Sequence, residues 1–473
     1  MKKFYLPLLF FLCTALSPSA HSQIRYVMET ATGTGDGTSW NNASNDIQEM
    51  LNTVGVTEVW VAAGTYKPTA LLPDNSTTLT DRDKTFFIPD GKRLYGGFFG
   101  HEESLDQRLN LRHQTILSGD IDGDETSSGN CYHVVVVAGA SSGVVIDGFT
   151  ISGGNTMEYS TTNPSINGMD VERIAGGGIL VVSSQAIIHN NRFIYNYGWI
   201  GGGLAIKYSS TTVTNNLISY NSAVHGGGFF IHRSTTSLVN NMVENNLAGN
   251  YGGGAYLENE SNNSFTNNIF YNNRSNSGGG IHMYGGYNMF YNNTFYKNIA
   301  NGGGALHLRT YVGSGQMNYF VNNIFYDNKI GASSSVPQAD LKIENTNIFS
   351  NNILQLQEGS YHTGNFNSIN GSGNLFQVDP GFINAANPAG EDQIMGTADD
   401  GLRITCNGSA VAGGKSGNTI PTRDRIGIAR SSTNPSIGAY EPRIESTAPL
   451  VLIASANTQI ISANGAVDSI LGS

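Results

Sequence analysis

Six side chains in the middle of the chain have the types and spacing of a binding surface. Phe230, His232, Tyr256, Glu258, His282 and Tyr284 are the second and fourth residues after three successive Gly-Gly-Gly triplets. Residues two apart in a strand point to one face, so these six form an outward stripe over three stacked strands. Aromatic faces flanked by an imidazole and a carboxylate suit stacking on sugar rings and hydrogen bonding to hydroxyls. The plainer reading is a decorated sheet without a ligand. The matching positions of the flanking repeats are Leu180, Val182, Ala205, Lys207, Leu306 and Leu308, which leaves Glu258 as the single carboxylate of the face. Glycoside hydrolysis ordinarily takes two carboxyl groups about 5–9.5 Å apart. A lyase takes a basic residue beside acids that hold calcium, and here Lys207, Arg233 and Arg309 have no such acids among them. The face favours binding over catalysis, and no catalytic residue is assigned.

Asp120, Asp122 and Asp124 alternate as in a calcium loop. Glu125 replaces the glycine of an EF-hand and Cys131 replaces its closing glutamate, so the expectation reduces to a structural Ca²⁺. Asp392, Asp399 and Asp400 make a second acidic loop. Gly413-Gly414-Lys415-Ser416 imitates a phosphate loop, but Gly408 is one residue out of register and no helical pattern follows.

The elements that must carry these residues are repeats. Glycine triplets begin at Gly176, Gly201, Gly226, Gly252, Gly278 and Gly302, spaced 25, 25, 26, 26 and 24 residues apart. Paired asparagines begin at Asn190, Asn215, Asn240, Asn267, Asn292, Asn322 and Asn351, each followed three residues on by an apolar side chain such as Phe193, Phe270 or Phe325. Two registered series of this period mean a stacked architecture. Short β-friendly runs such as Ile179–Val182, with no helical period, make each unit a coil of about three strands and tight corners. The expected fold is all-β, a right-handed parallel β-helix of roughly 25 residues per coil. Asparagines at one corner are expected to ladder from coil to coil, and Tyr271, Tyr296 and Tyr326 to stack. Cys131 and Cys406 would sit several tens of Å apart in such a rod and are not expected to pair.

The alternation of Gly-Gly-Gly plus an apolar residue with Phe-x-x-Asn, as in Phe193 to Asn196 and Phe295 to Asn298, resembles polymorphic outer-membrane protein repeats over about 140–330. Gly37-Thr38-Ser39-Trp40, Glu58 to Tyr66 and Leu94 to Phe98 resemble the opening of secreted β-helix proteins of Gram-negative bacteria, with a short helix at Asn45–Thr53 capping the first coil. Asp379-Pro380-Gly381-Phe382 through Ile437 to Glu441 resembles the closing domain called choice-of-anchor Q, which implies a sorting signal beyond it. The reading divides the chain into a signal peptide (1–22), an opening and capping segment (23–100), the repeat helix (101–375), the closing segment (376–443) and a tail (444–473) expected to stop short of such a signal.

Met1-Lys2-Lys3 followed by an apolar Phe4–Leu16 and small residues reads as an export signal, and no later stretch is long enough to span a bilayer. Removing 1–22 takes away Lys2 and Lys3 and no acids, lowering the formal charge from −11 to −13. Such a charge argues against a nucleic-acid partner. The expected product is an exported, extracellular or surface monomer, adhesin-like, binding a polysaccharide or cell-surface glycan. The alternatives are a polysaccharide-degrading enzyme, lyase or glycoside hydrolase, with a site in loops near 157–172, and a structural spacer.

Overall fold

The computed structural model describes residues 23–461 except 75–77, 110–113, 159–161, 259–260, 310–316, 332–340, 344–346, 356–368, 395, 443–449 and 455–456. The export signal at 1–22 lies outside the described residues, as does most of the tail, of which an antiparallel pair, Leu450–Ala454 with Asn457–Ile461, is described.

The chain winds as a right-handed parallel β-helix. Each central coil carries four strands rather than the three expected. One coil runs Leu204–Lys207, Ser210–Thr214, Leu217–Ser219 and Ser222–His225, and each strand pairs in parallel with its counterpart one coil on. The extra strand precedes the glycine triplet, and its composition changes from coil to coil, as in Tyr197–Ile200, Ser222–His225 and Arg274–Ser277, so no repeated pattern marks it. The glycine sheet has nine strands, the long sheet twelve, the asparagine sheet eleven and the short fourth sheet seven among the described residues. The long sheet begins at Gln23–Val27, so stacking starts well before the glycine triplets.

Side-chain alternation sorts each strand. Ile179, Val181, Leu204, Ile206, Phe229 and Ile231 face inward and join one continuous core. Phe265, Phe290, Phe320 and Phe349 stack along the axis with ring centroids 4.4–4.7 Å apart, close to the strand spacing itself. The second asparagine of each pair builds the ladder. Asn241 Oδ1 accepts from Asn216 N and Nδ2, both at 3.0 Å, while its own Nδ2 donates to Val213 O at 2.7 Å and Asn268 Oδ1 at 3.0 Å. The first asparagine holds the left-handed corner, with φ near 55° at Asn190, Asn215 and Asn267, a conformation asparagine tolerates better than most side chains. The corner before the glycine sheet instead takes glycine, φ 67° at Gly201 and Gly226.

A short helix, Ile47–Asn52, closes the first coil. Asp46 caps it by accepting from Glu49 N at 2.9 Å, and Ile47, Met50 and Leu51 are buried against the core end. At the other end of the sequence, the described residues of 377–442 do not continue the helix. They return along the outside of the asparagine sheet and bury Met242, Ile269, Tyr296, Ile324 and Ile353 beneath Leu402, Ile404, Ile437 and Tyr440. Tyr271, Tyr296 and Tyr326 stack there at 5.8 and 6.3 Å, and Tyr296 donates to Ala385 O. Cys131 is buried and Cys406 exposed, and no disulfide joins them. Among the described residues no helix is long and apolar enough to cross a membrane.

Candidate functional site

The six stripe residues lie where the alternation places them, on the outer face of the glycine sheet. Their expected exposure is corrected. Phe230 and His282 are 2% exposed and Tyr256 9%, so the stripe is not an open aromatic platform. The physical reason is a second apolar layer outside the sheet. Ile166, Met169, Val171 and Ala175, with Ile200 and Tyr251 from the fourth strands, pack on Leu180, Ala205, Phe230 and Tyr256. The fourth-position residues His232, Glu258 and Tyr284 remain half-buried at the rim.

What remains is a packed polar network. Tyr256 Oη donates to Glu258 Oε1 at 3.1 Å, and His232 Nδ1 lies 3.3 Å from Glu258 Oε2. The His232 contact holds the Glu258 carboxyl below its ordinary range, against the effect of burial. Farther along, His282 meets Tyr251 at 4.6 Å and His307 at 4.7 Å between ring centroids. The Ser277 hydroxyl touches Nδ1 of both His282 and His307. A serine against two imidazoles has the ingredients of a nucleophile and base. The backbone N–H groups of Gly278, Gly279 and Gly280 are all bonded to the next coil, so those neighbouring amides offer no oxyanion donors, and Ser277 is buried.

His307 was missed by the sequence. The sixth triplet is displaced by one residue: Gly303, with φ 69°, takes the corner position held by Gly278 in the coil before. The strand partners of His282 and Tyr284 are therefore His307 and Arg309, not Leu306 and Leu308. The irregular 24-residue spacing was the available signal. Arg309 lies over the Tyr284 ring at 5.4 Å.

Asp120, Asp122 and Asp124 do converge, each offering a carboxylate oxygen within 4.8 Å of the others. Oxygen donors of this kind suit a hard cation such as Ca²⁺. The Lys67 ammonium, 3.4 Å from Asp120, already offsets part of that charge.

A cleft that the glycine repeat gave no sign of opens on the asparagine sheet, where the returning segment leaves the strands uncovered. It measures about 580 Å³. Its floor is Thr150, Arg192, Leu217 and Glu244, and its far wall is Gln393, Ile394 and Arg425. Ser219 Oγ donates to Glu244 Oε1 at 3.2 Å. Burial raises the Glu244 carboxyl, and Ser219, Arg425 and Arg192 oppose that shift. Arg425 reaches across from the segment to donate to the Asn240 carbonyl.

Two tyrosines stand at the ends of the floor strands, outside the lining of the cleft itself. Tyr195 and Tyr220 each follow one residue after these strands, are 54% and 52% exposed, and stack with centroids 5.6 Å apart and planes 20° from parallel. Their φ angles are 54° and 55°, where the next two coils have Asn245 and Asn272. A bulky aromatic in the left-handed region is an outlier. Such strain costs about 1–2 kcal/mol per residue, and these rings recover little of it by burial. The signal was present in the sequence as Tyr-Asn at 195–196 and 220–221.

A family model described as "Right handed beta helix region" matches residues 116–246 and 228–420. No curated protein matches the sequence. Among solved structures, the chain is similar to one titled "Crystal structure of pectate lyase Pel9A". The identity is 14%, covering 89% of this chain and 96% of that one, and the TM-score is 0.48.

Proposed function

The chain belongs to the right-handed β-helix family, and from that premise we propose that it binds a glycan chain without cleaving it. The observation that carries this reading is the exposed, strained Tyr195–Tyr220 stack beside the cleft. Backbone strain retained without a packing return points to a surface role, and paired aromatic faces suit sugar rings. Binding is favoured over hydrolysis because, among the described residues, Glu244 is the one carboxylate of the cleft lining. Asp400, the nearby acid, is fully buried and hydrogen-bonded by Tyr440.

The setting proposed for this binding is the cell exterior. The basic and apolar start of the chain supports export, and the resemblance of the repeats to polymorphic outer-membrane proteins and of 379–441 to choice-of-anchor Q supports display at a surface. The glycan is the partner in that role, with the protein acting as a monomer in the manner of an adhesin. Fractionating cells that express the full chain tests this setting: retention in the cytoplasm would refute it.

One observation favours a second reading. A carboxyl raised by burial, as at Glu244, suits a general acid, so degradation is the competing activity. Purified 23–473, with and without Ca²⁺, is to be incubated with plant, algal and bacterial polysaccharides while polymer length and new reducing or unsaturated ends are followed. Binding without shortening is expected, with affinity reduced about 10-fold or more in the Tyr195→Ala/Tyr220→Ala double variant. Shortening of any polymer would replace binding by degradation. Absence of binding to the whole panel would leave a structural spacer.

A further inference from the structure

We infer that the cleft takes an anionic sugar residue, carboxylated or sulfated, held between the guanidinium groups of Arg192 and Arg425. This rests on the glycan reading above and names the chemistry of the residue lying beside the tyrosine stack.

Three enclosed arginines of this fold are each matched to a carboxylate. Arg173 bonds Asp83 at 2.7 Å through both Nε and Nη2. Arg108 pairs with Asp147 at 3.2 Å and Arg430 with Glu441 at 2.7 Å. Each has its own carboxylate, as low-dielectric surroundings demand. Arg192 and Arg425 break the pattern. Among the described residues neither forms an ion pair with a carboxylate, and Arg425 donates instead to the Asn240 carbonyl and meets Tyr440. An unbonded Nε is a feature that both share with the paired Arg430. They come from opposite walls, one from the asparagine sheet and one from the returning segment, yet both act on Glu244.

Charge points the same way. The chain as a whole is at −11, but among the described residues the cleft lining has two guanidiniums against one carboxyl. Burial pushes that carboxyl, and Asp400 enclosed behind it against Tyr440, toward the neutral form. A local positive site on an acidic protein selects anions over the neutral sugars that the tyrosines alone would accept. The planar guanidinium fork matches carboxylate and sulfate oxygens, which a hydroxyl does not. Leu217 and Ile394 add apolar surface that suits the face of a ring, while Thr150, Asn190, Asn215 and Gln393 of the same lining offer hydrogen-bonding groups to hydroxyls.

Calorimetric titration of 23–473 with three oligosaccharides of equal length, one uronic, one sulfated and one neutral, tests this at low and high salt. At least one anionic probe is expected to bind about 10- to 100-fold more tightly than the neutral one, with the advantage shrinking in salt. The tighter of the two anions identifies the source of the charge. Arg192→Ala should abolish the preference at an unchanged thermal midpoint, and Arg192→Lys should keep part of it. Tyr195→Ala/Tyr220→Ala should weaken all probes alike. Equal affinity for neutral and anionic probes, or an undiminished preference in Arg192→Ala, would overturn the inference and leave glycan binding standing. Failure of every probe to bind would remove both.

Discussion

His282 is held between Tyr251, Ser277 and His307, with Arg309 and Lys342 adding positive charge. Burial first, and His307 second, push its pKa down to about 2, while burial takes fully enclosed His133 down to about 4. Both folded values lie below the unfolded value of about 6.5. The unfolded chain therefore takes up protons that the folded chain refuses. Their contribution to stability is complete above pH 6.5 and is lost as pH falls toward those folded values, at about 1.4 kcal/mol per pH unit for each imidazole. Melts between pH 6.5 and 4.5 should show a falling midpoint, with a shallower slope in His282→Asn; equal slopes would contradict the assignment. Phe230 is the companion case. Its ring contacts Tyr256 and His232 beneath the outer apolar layer, so Phe230→Ala should cost about 3–5 kcal/mol by leaving a cavity. Glycan affinity should not change. The direction of each stripe side chain was legible from period-two alternation alone. Its burial was not, because the covering residues come from 157–175 and from fourth strands that no pattern marked.

The asparagine ladder gives the strands their register, and the two members of each pair have different jobs. Asn241→Ala would strip acceptors from Asn216 N and Nδ2 and donors from Val213 O and Asn268 Oδ1, all inside the helix. Leaving several buried polar groups unsatisfied should cost about 3–5 kcal/mol. Asn240 sits at φ 56° and uses its carbonyl, not its side chain, to receive Arg425. Asn240→Gly should therefore stay within about 1 kcal/mol of the parent. Hydrogen exchange at amides of the flanking coils separates the two. Large losses in both variants would mean that the side chain of Asn240 carries weight unseen in its contacts. The period, the inward phenylalanines and the ladder were all readable, since stacked coils repeat their constraints at a fixed interval. The fourth strand was not, because its composition changes from coil to coil, and neither was the one-residue slip at Gly303, where glycine erases the alternation. The cleft escaped for another reason: it is formed by segments far apart in sequence.

At the scale of the molecule, a solenoid touches only its neighbours in sequence, and the returning segment is the exception. It bonds the corner asparagines of successive coils: Asn267 Nδ2 donates to Arg423 O, Asn292 Nδ2 to Ser436 O, Asn322 Nδ2 to Lys415 O and Asn351 Nδ2 to Gly413 O. Coils that would otherwise open one at a time are thereby tied together, and one wall of the cleft is held in place. Arg430 is central to the strap. It pairs with Glu441 and donates to Asn267 Oδ1 and Gly438 O while almost fully buried. Arg430→Ala leaves Glu441 as an uncompensated buried charge, a change that costs about 3–5 kcal/mol. Because few of the segment's residues form regular strands, that loss should appear as local release rather than global unfolding. Trypsin should cut after Arg423 and Arg425 sooner than in the parent, while β-sheet circular dichroism stays the same. Glycan affinity should fall together with the loss of the Arg425 wall. If the β-helix signal collapses along with the segment, the strap is an integral part of the solenoid's stability and not a clamp upon it.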